Sequence, residues 1–168
     1  MNYQWNWGVF LQPSASGDDT YLGWMFAGFK MTIGLSLSAW VIALLLGALV
    51  GVLRTVPNKV LAGFATAYVE MFRNVPLLVQ LFIWYFVLPE LLPASIGDAY
   101  KQSNPVMQQF LASMICLGLF TSARVAEQVR AGIYSLPRGQ KNAGLALGFT
   151  LPQTYRFVML PMAFRLVV

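Results

Sequence analysis

GQKNAGLALGFTLPQTYRFVMLP, residues 139–161, is a charged segment punctuated by Gly and Pro and set between apolar runs too long for a soluble domain. Leu136-Pro137 and Gly139 break the chain direction just before it. Residues 140–147 can form a short helix that exposes Lys141 and Asn142, and Gly148 is placed to stop it with a positive φ. Thr150-Leu151-Pro152-Gln153 then reads as a new helix start, with Thr150 as N-cap, Gln153 as its capping-box partner and Pro152 in the first turn. Pro161 is expected to end that helix or to start the next. The segment therefore predicts a compact helix–turn–helix knob at the end of an apolar helix.

The flanks identify the solvent. The chain is 58% hydrophobic and 10% charged, against about 25% charged residues in soluble domains. Residues 31–53 carry no charge; at about 1.5 Å per residue they reach roughly 34 Å, enough for a hydrocarbon core of about 30 Å. Residues 106–123 form a second charge-free stretch, and 60–88 are apolar apart from Glu70, Arg73 and Asn74. The expected fold is an all-α, polytopic membrane bundle in one domain, 1–168. Its spans are expected at about 31–53, 60–88 and 106–123, with a further span starting at 161–168 and a cytoplasmic loop over about 124–160.

Several chemistries are excluded. The chain has no His and one Cys, so His-based catalysis and zinc or copper ligation have no ligand set. No nucleophile motif or paired carboxylates stand out, so neither a catalytic residue nor a cofactor is expected. No basic n-region precedes an apolar core at the N-terminus, so a removable signal peptide is not expected. The net charge of +5 is not a nucleic-acid footprint, because its placement follows the membrane. Arg54 and Lys59 flank the first short loop, and Arg124, Arg130, Arg138, Lys141 and Arg156 gather in or beside the knob. Asp18, Asp19, Glu90 and Asp98 lie in the opposite segments, with Lys101. The positive-inside rule then puts the N-terminus outside and 124–156 inside.

Two spans carry internal signals. Ala39, Ala43, Gly47 and Gly51 are four apart and share one helix face, where another helix can approach closely within the chain or at a subunit interface. Trp5, Trp7, Tyr21, Trp24, Trp84 and Tyr85 lie where aromatic side chains anchor at a membrane interface. In the second span, Glu70 and Arg73 at i, i+3 are expected to neutralise each other, and Pro76 to kink the helix. Intramembrane charges are costly unless paired or wetted. Arg73, with Gln80 one turn beyond Pro76, is therefore either support for the kink or part of a polar solute pathway.

The spacing of the knob resembles the cytoplasmic coupling loop of bacterial ABC-importer permeases, whose pattern is E-A-A, three residues, Gly, nine residues, then I-x-L-P. Here Asn142-Ala143-Gly144, Gly148 and Val158-Met159-Leu160-Pro161 stand at those steps. Asn142 replaces the pattern's Glu and Gly144 its second Ala, so shape and hydrogen bonding take the place of a charged contact there. Phe72-Arg73-Asn74-Val75-Pro76-Leu77-Leu78-Val79-Gln80 is similar to an F-R-x-x-P-L-L-V-Q run in the same family. Together with Asn6-Trp7-Gly8, 20–24 and 136–143, these residues resemble the polar amino acid (histidine/glutamate-type) permeases, within them the glutamate/aspartate branch.

That resemblance implies a type I importer transmembrane domain in a bacterial inner membrane. It implies coupling to the ATPase through Asn142, Ala143, Gly144, Gly148, Leu160 and Pro161. It further implies a cytoplasmic ABC ATPase subunit, a homologous permease, a periplasmic binding protein and an amino acid substrate. Since such permeases usually continue through two further helices, the chain is expected to be incomplete. The chain contains no G-x-x-x-x-G-K-[ST] loop, so ATP hydrolysis is assigned to another polypeptide. The alternatives are a permease for a basic amino acid or glutamine and, more distantly, a channel or assembly subunit.

Overall fold

The computed structural model describes residues 5–167 without the side chains of Arg138, Leu166 and Val167. The reading of the Arg138 side chain as part of the basic cluster, and of Val168 as part of a fourth span, falls outside what is described. In chain order there are a 3-10 turn (Trp7–Leu11), α1 (Tyr21–Leu53), α2 (Lys59–Asn74), α3 (Leu77–Phe82), a π turn (Ile83–Val87), α4 (Leu88–Leu91), α5 (Ala94–Lys101), α6 (Pro105–Tyr134), α7 (Arg138–Ala146), α8 (Leu151–Thr154), a second π turn (Tyr155–Met159) and α9 (Leu160–Val167). Helices α1 and α6 are each long and apolar enough to cross a membrane. Both run past the charge-free stretches that mark them in sequence, because a helix continues into water once its backbone is hydrogen-bonded.

The chain divides into two compact units, 1–37 and 38–168. In the first, Trp5 and Trp7 stack at 5.4 Å between ring centroids, and Asn6 accepts a hydrogen bond from the Gly8 N–H at 3.1 Å. Ser14 N–H donates to Asp19 O at 2.7 Å, closing the loop. The Thr20 hydroxyl accepts from Gly23 N–H at the start of α1.

In the second unit the small residues of α1 meet α6. A Cβ on Gly47 would sit 2.6 Å from Val125 Cβ and 2.7 Å from Ser122 O; one on Gly51 would sit 2.7 Å from Val129 Cβ and 2.8 Å from Ala126 O. The stripe therefore packs within the chain. Beside it Val50, Ala65, Val69, Phe72, Ala123 and Ala126 form one core cluster. The hydroxyls of the buried Ser122 and the half-buried Tyr68 meet at 2.7 Å, so each has a partner. A second cluster, Ile133, Leu136, Tyr155, Met159 and Ala163, joins the end of α6 to the segment after the knob.

Residues 60–88, expected as one kinked span, are two helical pieces. Between Lys59–Asn74 and Leu77–Leu91 the axis turns by 101°. Pro76 starts the new direction with φ −56° and ψ 138°. Pro161 falls in the opening turn of α9, as the second of its two expected placements has it, separated only by Leu160 from the π turn at Tyr155–Met159. Pro89 follows the other π turn in the same register. A wider turn relieves the clash of a proline ring with the carbonyl four residues back and absorbs its missing N–H.

The contact at Gly51 makes a prediction. Gly51→Ala should lower the stability of the full-length protein in detergent by about 1–3 kcal/mol, the usual cost of overpacking. Gly63 lies in a helix with nothing near its Cβ direction, so Gly63→Ala should be neutral or stabilising by up to about 1 kcal/mol. Thermal melting of the two variants checks the contrast.

Candidate functional site

The knob is built as the sequence pattern requires. Helix α7 ends in a two-bond closure. Gly148, at φ +84°, donates to Leu145 O at 3.0 Å, and Phe149 N–H donates to Gly144 O at 3.2 Å. This left-handed stop satisfies the last carbonyls of α7. The next helix opens with Gln153 Oε1 accepting from the Thr150 N–H at 2.8 Å and from the Thr150 hydroxyl at 2.9 Å. Asn142 and Ala143 face solvent while Gly144 is buried. A Cβ on Gly144 would lie 2.7 Å from Thr154 Cγ2 and 3.1 Å from its Oγ1. That contact is the physical reason for Gly where the related pattern has Ala: α7 and α8 touch through it. Leu147 and Phe149 are exposed apolar side chains beside the turn.

The knob is tied to the rest of the second unit. The Tyr155 hydroxyl donates to Thr55 O, in the loop between α1 and α2, at 2.8 Å. Leu160 packs against the Ile133–Leu136–Tyr155 cluster, and Pro161 is exposed. A cavity of about 410 Å³ opens between Thr55, Tyr155 and the Lys141–Asn142 face of α7. The structure thus brings Asn142, Ala143, Gly144 and Gly148 together on one knob and sets Leu160 and Pro161 in the helix behind it.

Arg73 and Gln80 are separated in role. Gln80 is 5% exposed. Its Nε2 donates to Phe72 O and Val75 O, each at 2.8 Å, and so caps two carbonyls freed by the Pro76 break. Its Oε1 is buried and has no partner among the described residues. Arg73 does not pair with Glu70, contrary to the sequence expectation. It forms a hydrogen-bonded ion pair with Glu127 Oε1 at 2.8 Å. Glu70 is exposed and takes no ion pair among the described residues. The reason is geometric: the break after Asn74 places the end of α2 against α6, where a carboxylate is already shared.

Glu127 is the centre of that region; its spacing of three from Arg124 and Arg130 marks a charged end to the helix, but not the partners it takes from α2 and the end of α1. The same Oε1 meets Arg54 at 2.8 Å, and Oε2 meets Arg130 at 3.5 Å. The Arg54 side chain is 6% exposed, that of Arg73 52%. One carboxylate therefore ties the end of α1, the end of α2 and α6. The legible signal was Arg54 itself, the first charge after a long apolar stretch, which has to find a partner when buried.

With this geometry in hand, the chain compares clearly with known proteins. Residues 43–168 match the family of binding-protein-dependent transport system inner membrane components. The glutamate/aspartate import permease protein GltJ of Escherichia coli (strain K12) is 62% identical over all of this chain, which covers 69% of that relative. The glutamate/aspartate import permease protein GltK of Escherichia coli O157:H7 is 34% identical over 99% of this chain and 69% of its own length. Among solved structures, an amino acid ABC transporter crystallised with histidines aligns at a TM-score of 0.67 and 31% identity. The alignment covers 88% of this chain and 63% of that one.

The unequal burial of the arginines separates two variants. Arg73→Ala removes a half-exposed partner and should cost at most about 1 kcal/mol. Glu127→Ala strands the buried Arg54 and should cost about 3 kcal/mol or more. Melting temperatures of the purified full-length variants, with Arg73→Ala close to wild type and Glu127→Ala well below it, are the expected result.

Proposed function

Because the chain belongs to the family of binding-protein-dependent transport system inner membrane components, we propose that it is the permease subunit of an ATP-driven importer for glutamate and aspartate. Its likeness to a glutamate/aspartate import permease over its whole length carries the substrate reading. The knob carries the coupling reading. It is a rigid, small-residue turn whose exposed face holds Asn142, Ala143, Leu147 and Phe149.

The partners are a cytoplasmic ATPase at the knob, a homologous permease beside this one and a periplasmic protein that delivers the amino acid. The sequence positions of Arg54, Lys59, Arg124, Arg130, Lys141 and Arg156 support, by the positive-inside rule, a cytoplasmic knob and a periplasmic N-terminus. When the ATPase moves the knob, the Tyr155–Thr55 hydrogen bond passes the displacement to the loop between α1 and α2. The Glu127 cluster joins the same loop end to α2 and α6. The bundle then alternates between outward- and inward-open forms, and the solute leaves inward. Arg73 stands at the inner end of that route, and Gln80 holds the break that shapes it.

Three measurements test the reading. A strain carrying the full-length gene should take up labelled glutamate and aspartate; uptake of arginine or glutamine alone would replace the substrate. Single cysteines at Gly139 and Ser95, in a Cys116→Ala background, should label from opposite sides of the membrane. Labelling of position 139 from the periplasm would reverse the topology.

Gly148→Val tests the knob. A β-branched residue at φ +84° costs on the order of 1–3 kcal/mol of backbone strain. The variant should reach the membrane yet lose ATPase co-purification or substrate-stimulated ATP hydrolysis. Both unchanged would mean that this turn is not the transmission element.

A further inference from the structure

Beside Glu127 lies a second cavity, of about 420 Å³, lined by Arg73, Phe120, Arg124 and Glu127. That volume lies within the range of small-ligand sites, about 300–1,000 Å³. Its charge balance is uneven. Arg54, Arg73 and Arg130 share the single carboxylate of Glu127. Arg124 adds a fourth guanidinium and has no carboxylate partner among the described residues. It is exposed, with its guanidinium 4.8 Å from the centre of the Phe120 ring. This cation–π contact holds the guanidinium beside the ring without using its N–H donors. Glu127 in turn holds Arg73 at the cavity wall.

We propose that this cavity binds an anionic amino acid in transit, and that Arg124 is the specificity-determining residue, taking the side-chain carboxylate that an amide analogue lacks. The proposal rests on the transport reading above and adds to it a site and a selection rule. Arg73, already half-engaged by Glu127, is left to meet the second carboxylate of the solute, and the Phe120 face covers its methylenes. Two guanidiniums, Arg73 and Arg124, and one carboxylate, Glu127, line the cavity, and Glu127 is already shared with Arg54 and Arg130, so the balance favours an anion and disfavours a cationic amino acid. The same fork would also accept a phosphate, so an anionic lipid headgroup is the competing source.

The test uses the full-length permease assembled with its partner permease and ATPase in liposomes, without the binding protein. Affinities for glutamate and glutamine are measured for wild type, Arg124→Gln and Arg124→Lys, in phosphatidylcholine alone and with phosphatidylglycerol added. Arg124→Gln should weaken glutamate binding by about tenfold, the loss expected for one charge-assisted hydrogen-bonded contact. Glutamine binding should change by less than about twofold on the same reasoning, since it offers no second carboxylate. Arg124→Lys should fall between, because it keeps the charge but not the fork.

Equal losses for both ligands, or no loss for glutamate, would overturn the assignment. So would a glutamate affinity that responds to phosphatidylglycerol in wild type but not in Arg124→Gln, which would place a lipid headgroup in the fork. Wild-type uptake with the binding protein and ATP, run in the same liposomes, keeps the two readings apart. Uptake with Arg124-independent binding overturns only the site. Arg124-dependent glutamate binding without uptake supports the site and removes the transport reading.

Discussion

The close approach of α1 to α6 at Gly47 and Gly51 is the constraint on which the rest of the second unit depends. Carbonyl oxygens of Ser122 and Ala126 lie 2.7 and 2.8 Å from where Cβ atoms on Gly47 and Gly51 would be. Lipid offers little hydrophobic reason for two apolar helices to associate, so close van der Waals contact between small residues has to supply it. The same contact sets the charges. Arg54 lies three residues past Gly51 and Glu127 one residue past Ala126, so docking one glycine against one carbonyl delivers the guanidinium to the carboxylate. Arg54 can then be buried because its partner arrives with it.

Prolines shape the remaining path without breaking it at random. Pro76 ends hydrogen bonding between α2 and α3, and Gln80 repairs two of the exposed carbonyls. Pro89 and Pro161 lie inside helical runs and are each preceded by a π turn. A proline with a side-chain donor behind it gives a sharp turn, whereas one with a widened turn before it lets the helix continue. The second arrangement lets the chain pass from α8 through the π turn into α9 without leaving helix, so the knob is continuous with the packed Met159 and Ala163.

Charge completes the picture. The apolar surface of α1 and α6 restricts ion pairs to the helix ends, where Glu127 collects three arginines from separate elements. A carboxylate shared this way is sensitive to the placement of every contributing helix. It holds the end of α2 through Arg73, just before the chain turns by 101°.

The sequence by itself determined the all-helical membrane class, the Gly148 stop and the Thr150–Gln153 helix start. These are decided by properties local to a few residues: apolar length, a backbone angle that only glycine adopts cheaply, and a side chain that reaches its own backbone. It also placed Ala39, Ala43, Gly47 and Gly51 on one face, but left open whether another part of the chain or another subunit covers it. Only the tertiary structure decided that α6 does, that Arg73 turns from Glu70 to Glu127, and that Gln80 stitches the break. Each of those outcomes depends on which distant group arrives within about 3 Å, a distance set by packing between helices that no local spacing encodes.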